Sequence, residues 1–213
     1  MSRVRVHNFS ISLDGFATGE NLTLEAPFGH AGHRLHEWMI ATRFGRAEVL
    51  GESGGTEGVD NALAGRHGPG IGAEIMGAGK FGPPGWHDDP EWRGWWGENP
   101  PFHTPTFVLT HRPRPSLEME GGTTFHFLEA TPEDALEVAR EAAAGQDVRI
   151  GGGPTVVRAF LAAGLVDHLH VAQVPILLGR GVRLWDGLEG LEQQYEVEVV
   201  ATPSGVIHLT FTR

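Results

Sequence analysis

Apolar positions alternate from the start of the chain. Val4 and Val6, then Phe9 and Ile11, mark a strand whose phase slips near Asn8. Asp14-Gly15 and Thr18-Gly19 break that alternation and predict a loop. Over 32–43, "GHRLHEWMIATR" sets Leu35, Trp38 and Met39 on one face, with Thr42 a turn on, and predicts one helix. "VDNALAGRHG" fits a short helix or a loop, and "AEIMG" predicts a buried strand running into a glycine turn at 77–79. "TFVLTH" and "TTFHFL" are further strands, the first stopped by Pro113 and Pro115. Thr131 as N-cap, Pro132 at the first helical position and Gly145 beyond the end bound the clearest helix of the chain. "DVRIGGG" then reads as a strand, "PTVVRAFLAAG" as a helix, and "VDHLHVAQVPILLG" as one long or two short strands. Residues 195–213 read as a hairpin turning at Pro203-Ser204-Gly205. Strands interleaved with helices and closed by a hairpin predict an α/β fold, a mostly parallel sheet with an antiparallel edge, in a single domain over 1–213.

One stretch fits neither period. Residues 82–105 form a loop insertion rich in Pro, Gly and Trp, and loops of this length in compact domains usually serve function or are disordered. Trp92, Trp95 and Trp96 share i, i+3, i+4 spacing, one face of a helical turn. They suit a packed flap and equally an aromatic wall for a planar ligand, with His87 and His103 as polar neighbours.

Composition narrows the function classes. A net charge of -11 and the absence of basic clusters exclude a nucleic-acid or anionic-membrane surface. With no cysteine there is no disulfide, thiolate metal site or cysteine nucleophile. No apolar run approaches a membrane span, and the N-terminal residues carry no signal-peptide pattern, so a cytoplasmic location is expected. His30, His33 and His36 recur every three residues, but the third has turned away from the first on a helix, and no metal is expected. His168 and His170 share one strand face among apolar neighbours, which favours packing over ligation.

The strand–Gly151-Gly152-Gly153–helix junction carries the candidate chemistry. Glycines there expose backbone N–H groups beside the positive end of a helix dipole, and both favour a phosphate. No Gly-Lys-Ser/Thr follows, so it is not a P-loop, and Thr155 and Val156 replace the last glycine of the dinucleotide fingerprint. The junction alone is equally consistent with a tight turn that binds nothing.

The order of motifs adds to this. "SLDGF", "IMGAGKFG", "FVLTHRP", "IGGGPTVVRAFLAAGLVDHLHV" and "PILLGRGVRLW" together resemble the dihydrofolate-reductase-like superfamily over nearly the whole chain. The resemblance is greatest to the C-terminal reductase domain of the bifunctional riboflavin-biosynthesis deaminase-reductase and its stand-alone bacterial relatives. It implies a three-layer αβα fold with a C-terminal antiparallel hairpin, NADPH as cofactor and a homodimer. It further implies that Gly151, Gly152 and Gly153 face the pyrophosphate, with Pro154 and Thr155 opening the helix and a cis peptide at Gly151–Gly152. Asp14, Gly15 and Phe16 would form a loop beside the nicotinamide. Gly77 and Gly79 would start a second phosphate-binding turn, and Thr110, His111 and Arg112 would line the adenosine end. Leu177 to Gly181 matches a family loop of structural role. Many members carry Arg where this chain has Ala78; Lys80, His111, Arg112 or Arg114 would replace its charge on the 2′-phosphate, Arg112 being best placed because a guanidinium grips phosphate bidentately.

Hydride transfer also needs a proton source. Glu37 is the carboxylate in the core of the predicted 32–43 helix and Asp14 the alternative, although an exposed helical carboxylate and a plain Asp-Gly turn explain them as well. Trp38, Trp92, Trp95 and Trp96 are the candidate substrate contacts. The resulting expectation is an NADPH-dependent reductase of a small planar heterocycle, such as a pterin or a flavin precursor. The alternative is a catalytically inactive NADP-binding module acting as sensor or carrier.

Overall fold

The computed structural model describes residues 2–213. In chain order the strands are β1 (Val4–Ser12), β2 (Phe16–Thr18), β3 (Ile71–Gly77), β4 (Pro105–Leu109), β5 (Leu117–Glu118) and β6 (Thr124–Leu128). They continue with β7 (Asp147–Gly152), β8 (His168–Val174), β9 (Val182–Arg183), β10 (Glu196–Ala201) and β11 (Ile207–Thr212). The α-helices are α1 (Glu37–Ile40), α2 (Arg43–Gly45), α3 (Val59–Ala64), α4 (Ala78–Phe81), α5 (Pro132–Ala142) and α6 (Pro154–Ala162). They fall into two compact units, one made of the N-terminal residues through Arg5 with Gly70–Asp167, the other of Val6–Pro69 with His168–Arg213.

The first unit holds a parallel sheet in the order β7-β3-β4-β6, edged by antiparallel β5, with Val4 and Arg5 of β1 paired parallel to Val148 and Arg149. β3 is buried almost throughout, as a central parallel strand covered on both faces must be. Helix α5 starts where Thr131 Oγ1 accepts the Asp134 N–H at 3.2 Å, and it buries Ala135, Leu136 and Ala139. It packs on β3, β4 and β7. Helix α6 buries Val157, Phe160 and Leu161, the i, i+3, i+4 stripe that the sequence shows, against β7 and β3.

The second unit holds the antiparallel run β10-β11-β8 with the remainder of β1, and a small β2–β9 pair. Asn8 takes φ 53, which is the backbone cause of the phase slip in β1. The hairpin turns where expected, and β8 stops before Pro175, so the stretch that followed it is not a strand. The architecture is the one the sequence pattern predicts, a mostly parallel sheet with helices and an antiparallel C-terminal hairpin.

The single helix expected over 32–43 is instead a 3₁₀ turn (Gly32–His36), α1, α2 and a π-helical turn (Arg46–Leu50). Thr42 breaks it. Its hydroxyl donates to Met39 O at 2.6 Å and accepts the Gly45 N–H at 2.9 Å, closing one helix and capping the next. Of the expected face, Leu35, Trp38 and Thr42 are buried and Met39 is half-buried against the same core. The helical turn expected at Trp92, Trp95 and Trp96 is absent; Pro90 and Gly94, with φ 99, leave an irregular chain there. The cis peptide lies at Gly152–Gly153, one bond later than expected.

Candidate functional site

The three glycines of the first unit serve three different ends. A Cβ on Gly151 would lie 2.0 Å from Glu74 Oε1, so this glycine makes room for a buried carboxylate. Gly152 takes φ 118, a region that side chains rarely adopt. Gly153, the N-cap of α6, would meet nothing within 4 Å of its Cβ. No side chain caps α6 and no acidic residue stands in its first turn, so its first amides and positive dipole end face open space. Gly77 lies beside them: a Cβ there would meet Val156 Cγ2 at 2.8 Å, with Gly153 N at 3.8 Å. Gly79, on the short α4, is likewise open. Gly77 and the start of α6 are thus neighbours, and neither Gly153 nor Gly79 has an atom within 4 Å of where a Cβ would stand.

Beneath this turn lies an ionic cluster that the sequence reading missed. Glu74 is fully buried on β3, and its Oε2 accepts Arg149 Nε at 2.7 Å and Arg149 Nη2. Lys80 Nζ donates to Glu74 Oε1 at 2.9 Å and to Gly151 O at 2.8 Å. Burial opposes the charge on Glu74, but the Arg149 and Lys80 cations outweigh it and hold the carboxyl below the usual range. Burial pushes Lys80 down, against the pull of Glu74. Lys80 is therefore committed to this cluster and is not left free for a 2′-phosphate. The available signal was the lone carboxylate in the apolar run "AEIMG", which requires cations, and Lys80 and Arg149 both flank glycine turns.

At the end of β4 the chain gathers the other expected cofactor residues. Thr110 Oγ1 accepts the Arg112 N–H at 3.1 Å and bonds His87 Nε2 at 2.8 Å. Arg112, 60% exposed, pairs with Asp88 at 2.5 Å, and His111, 98% exposed, lies 3.4 Å from Glu129. Burial and then Arg112 lower the His87 pKa. Arg114 stacks over Phe81, Trp86 and Phe127 and donates to Trp92 O, so it is built into the core. Among these side chains Arg112 and His111 are the ones held only by surface pairs.

The Trp-rich stretch packs on the same unit. Trp92 donates to Phe81 O at 3.2 Å, Trp95 meets Trp92 edge-on at 5.1 Å, and Trp96 does so with Phe102 at 4.7 Å. The Lys80 ammonium sits 5.4 Å from the centre of the Phe102 ring. His103 is spent on Gly121 O at 2.8 Å.

In the second unit, Asp14 is a clamp. Its carboxylate accepts Ser12 Oγ at 2.5 Å, Leu178 N at 3.1 Å and Gly179 N at 2.7 Å. Burial opposes its charge, yet these donors together hold its pKa below the ordinary value, the reverse of what a proton donor needs. Gly15 takes φ 84, and Phe16 is buried under Arg183, whose guanidinium carbon lies 4.4 Å from the ring centre. Glu37 is 65% exposed, its Oε1 lying 3.9 Å from His33 Nε2. Trp38 is buried and donates to Ser10 Oγ at 2.9 Å, a core position rather than a ligand wall.

The same unit buries a directional hydrogen-bond chain. The Asn8 N–H donates to His170 Nδ1 at 3.2 Å, so Nε2 of that ring carries the proton and donates to His208 Nδ1 at 3.0 Å. His208 Nε2 then donates to Asp60 Oδ1 at 2.8 Å. His30 bonds the Glu20 N–H at 2.9 Å and Leu178 O at 3.2 Å. Among the described residues no three His, Cys, Asp or Glu side chains converge as metal ligands.

A family model described as the RibD C-terminal domain matches residues 5–208. A protein from Shewanella sp. PV-4, provisionally assigned to riboflavin biosynthesis, superposes with a TM-score of 0.59 at 18% identity, over 100% of this chain and 99% of the other. A pyrimidine reductase-like protein from Corynebacterium diphtheriae superposes with a TM-score of 0.52 at 14% identity, over 99% and 91%. At these identities the likeness speaks to the fold. No curated protein matches the chain.

Proposed function

The chain belongs to the RibD C-terminal domain family, and on that premise we propose that it is an NADPH-dependent reductase of a small planar heterocycle. The observation that carries the reading is the uncapped N-terminus of α6, where Gly153 opens onto space that a pyrophosphate would fill. Gly153, Pro154 and Thr155 would hold the pyrophosphate beside Gly77 and Gly79. Thr110, His111 and Arg112 would hold the adenosine end, with Arg112 on the 2′-phosphate. The cofactor supplies the hydride; the chain's residues bind and orient it. The relative described as pyrimidine reductase-like supports a nitrogen heterocycle as substrate class. The reading includes the homodimer, testable by sizing chromatography, and the cytoplasmic location, testable by fractionation; no helix is long and apolar enough to cross a membrane.

One observation favours the inactive module acting as sensor or carrier: Glu37 points to solvent and Asp14 is locked as a carboxylate, so neither is set up to deliver a proton. Loss of reduced-nicotinamide absorbance with pterins, flavin precursors and pyrimidines separates the two readings. Turnover with any of them supports the reductase, and binding of NADPH with no turnover across the panel supports the module.

A further inference from the structure

Gly151 carries a requirement that phosphate binding does not explain. Its carbonyl oxygen accepts Lys80 Nζ at 2.8 Å, and its Cα lies against the carboxylate that the same ammonium pairs with. Glu74 and Arg149 are cross-strand neighbours on β3 and β7, while Lys80 comes from α4. Three charges thus join the two strands and the short helix that surround the glycine turn. The sum is one excess positive charge, carried by two partly buried cations, one of which bonds the backbone of the glycine turn.

Building such a cluster is costly. Each ion gives up its water, and buried ionic groups are often matched or exceeded in stability by apolar residues of similar volume. Stability alone is therefore a weak reason for it. Fixed position is a stronger one: a lysine held by a doubly bonded carboxylate can hold a backbone carbonyl in one place.

We infer that Glu74, Lys80 and Arg149 form a positioning clamp for the pyrophosphate turn, setting the place of Gly151–Gly153 through the Lys80–Gly151 bond and lending the cradle their net positive charge. None of the three touches the cofactor; they act through the backbone and through the field. The inference rests on the reading that the turn binds the pyrophosphate of NADPH. It gives the pyrophosphate turn a positive charge of its own, separate from the Arg112 charge assigned to the 2′-phosphate.

Two variants test it, Lys80→Met and the apolar triple variant Glu74→Leu/Lys80→Met/Arg149→Met, which leaves no uncompensated buried charge and keeps the test open if the single variant does not fold. NADPH and adenosine 2′-phosphate, which has no pyrophosphate, are titrated against wild type and variants by calorimetry, with thermal midpoints recorded. The expected result is NADPH affinity lowered about tenfold, the equivalent of one charge-assisted hydrogen bond, with adenosine 2′-phosphate affinity unchanged. Unchanged NADPH affinity in a folded variant, or equal loss for both ligands, overturns the clamp. A wild type that binds no NADPH overturns the reductase reading itself, which is a different outcome.

Discussion

A methyl group at Gly151 would lie 2.0 Å from Glu74 Oε1, whereas one at Gly79 would meet nothing within 4 Å. The two glycines therefore separate packing from ligand approach. Gly151→Ala must displace a buried carboxylate or the turn, and should cost about 1–3 kcal/mol in urea denaturation, as overpacking does. Gly79→Ala sits in a helix with ordinary dihedrals and should leave stability the same or slightly raised, by roughly 0.5–1 kcal/mol. Its methyl would nevertheless intrude on a bound phosphate, so NADPH affinity should fall. A Gly79→Ala protein with unaltered NADPH affinity would remove that turn from the site. From sequence, the glycines of 151–153 all read as allowing a phosphate to approach. The carboxylate that accounts for Gly151 lies in another strand, and only the β3–β7 pairing brings the two together.

At the level of elements, local signals were legible wherever a cap or a stripe was complete within a few residues. Thr131, Pro132 and the acidic first turn placed α5, and the apolar spacing placed α6. The 32–43 segment shows the limit. Its apolar face was readable, but the side chain of Thr42 competes for backbone groups and divides the helix. The Trp spacing misled for a similar reason, because Pro90 and Gly94 outweigh a three-residue coincidence. The loop after β8 behaves as an element through Asp14, whose carboxylate holds the amides of Leu178 and Gly179. Asp14→Asn keeps one acceptor oxygen and loses the charge. Amide exchange at Leu178 and Gly179 should accelerate markedly while exchange in β8 stays as in the wild type. Unchanged protection at both amides would show that the loop is held by something else.

Across the whole molecule, the order of the motifs identified the fold, while the polar interior stayed hidden. The residues of the Asp60–His208–His170 chain are 148 and 38 positions apart, too far for spacing to show. Its consequence is a pH dependence. Burial, followed by His208, His168 and Arg66, lowers the His170 pKa to about 3. An unfolded histidine titrates near pH 6.5, so above that value both states are neutral and the full stability is present. As pH falls from there toward 3 the unfolded chain gains a proton that the folded one refuses, and stability declines by about 1.4 kcal/mol per unit. Asp60 adds to this in stronger acid: burial opposes its charge, but its bonds to His208, Ser204 and Thr202 hold its pKa below the usual carboxylate range, so its share of stability is lost as it protonates. Urea midpoints should be level from neutral pH down to about 6.5 and drop steadily below it; a profile level to pH 4 would contradict a buried neutral His170.

The central claim is that the turn at the N-terminus of α6 binds the pyrophosphate of a phosphorylated nicotinamide dinucleotide. Calorimetric titration of the purified wild-type protein with NADPH, and in parallel with NADH, tests it most directly. The account predicts saturable NADPH binding at micromolar concentration, weaker binding of NADH, and loss of that preference in Arg112→Ala. Absence of heat and of any shift in thermal midpoint with millimolar NADPH would contradict it.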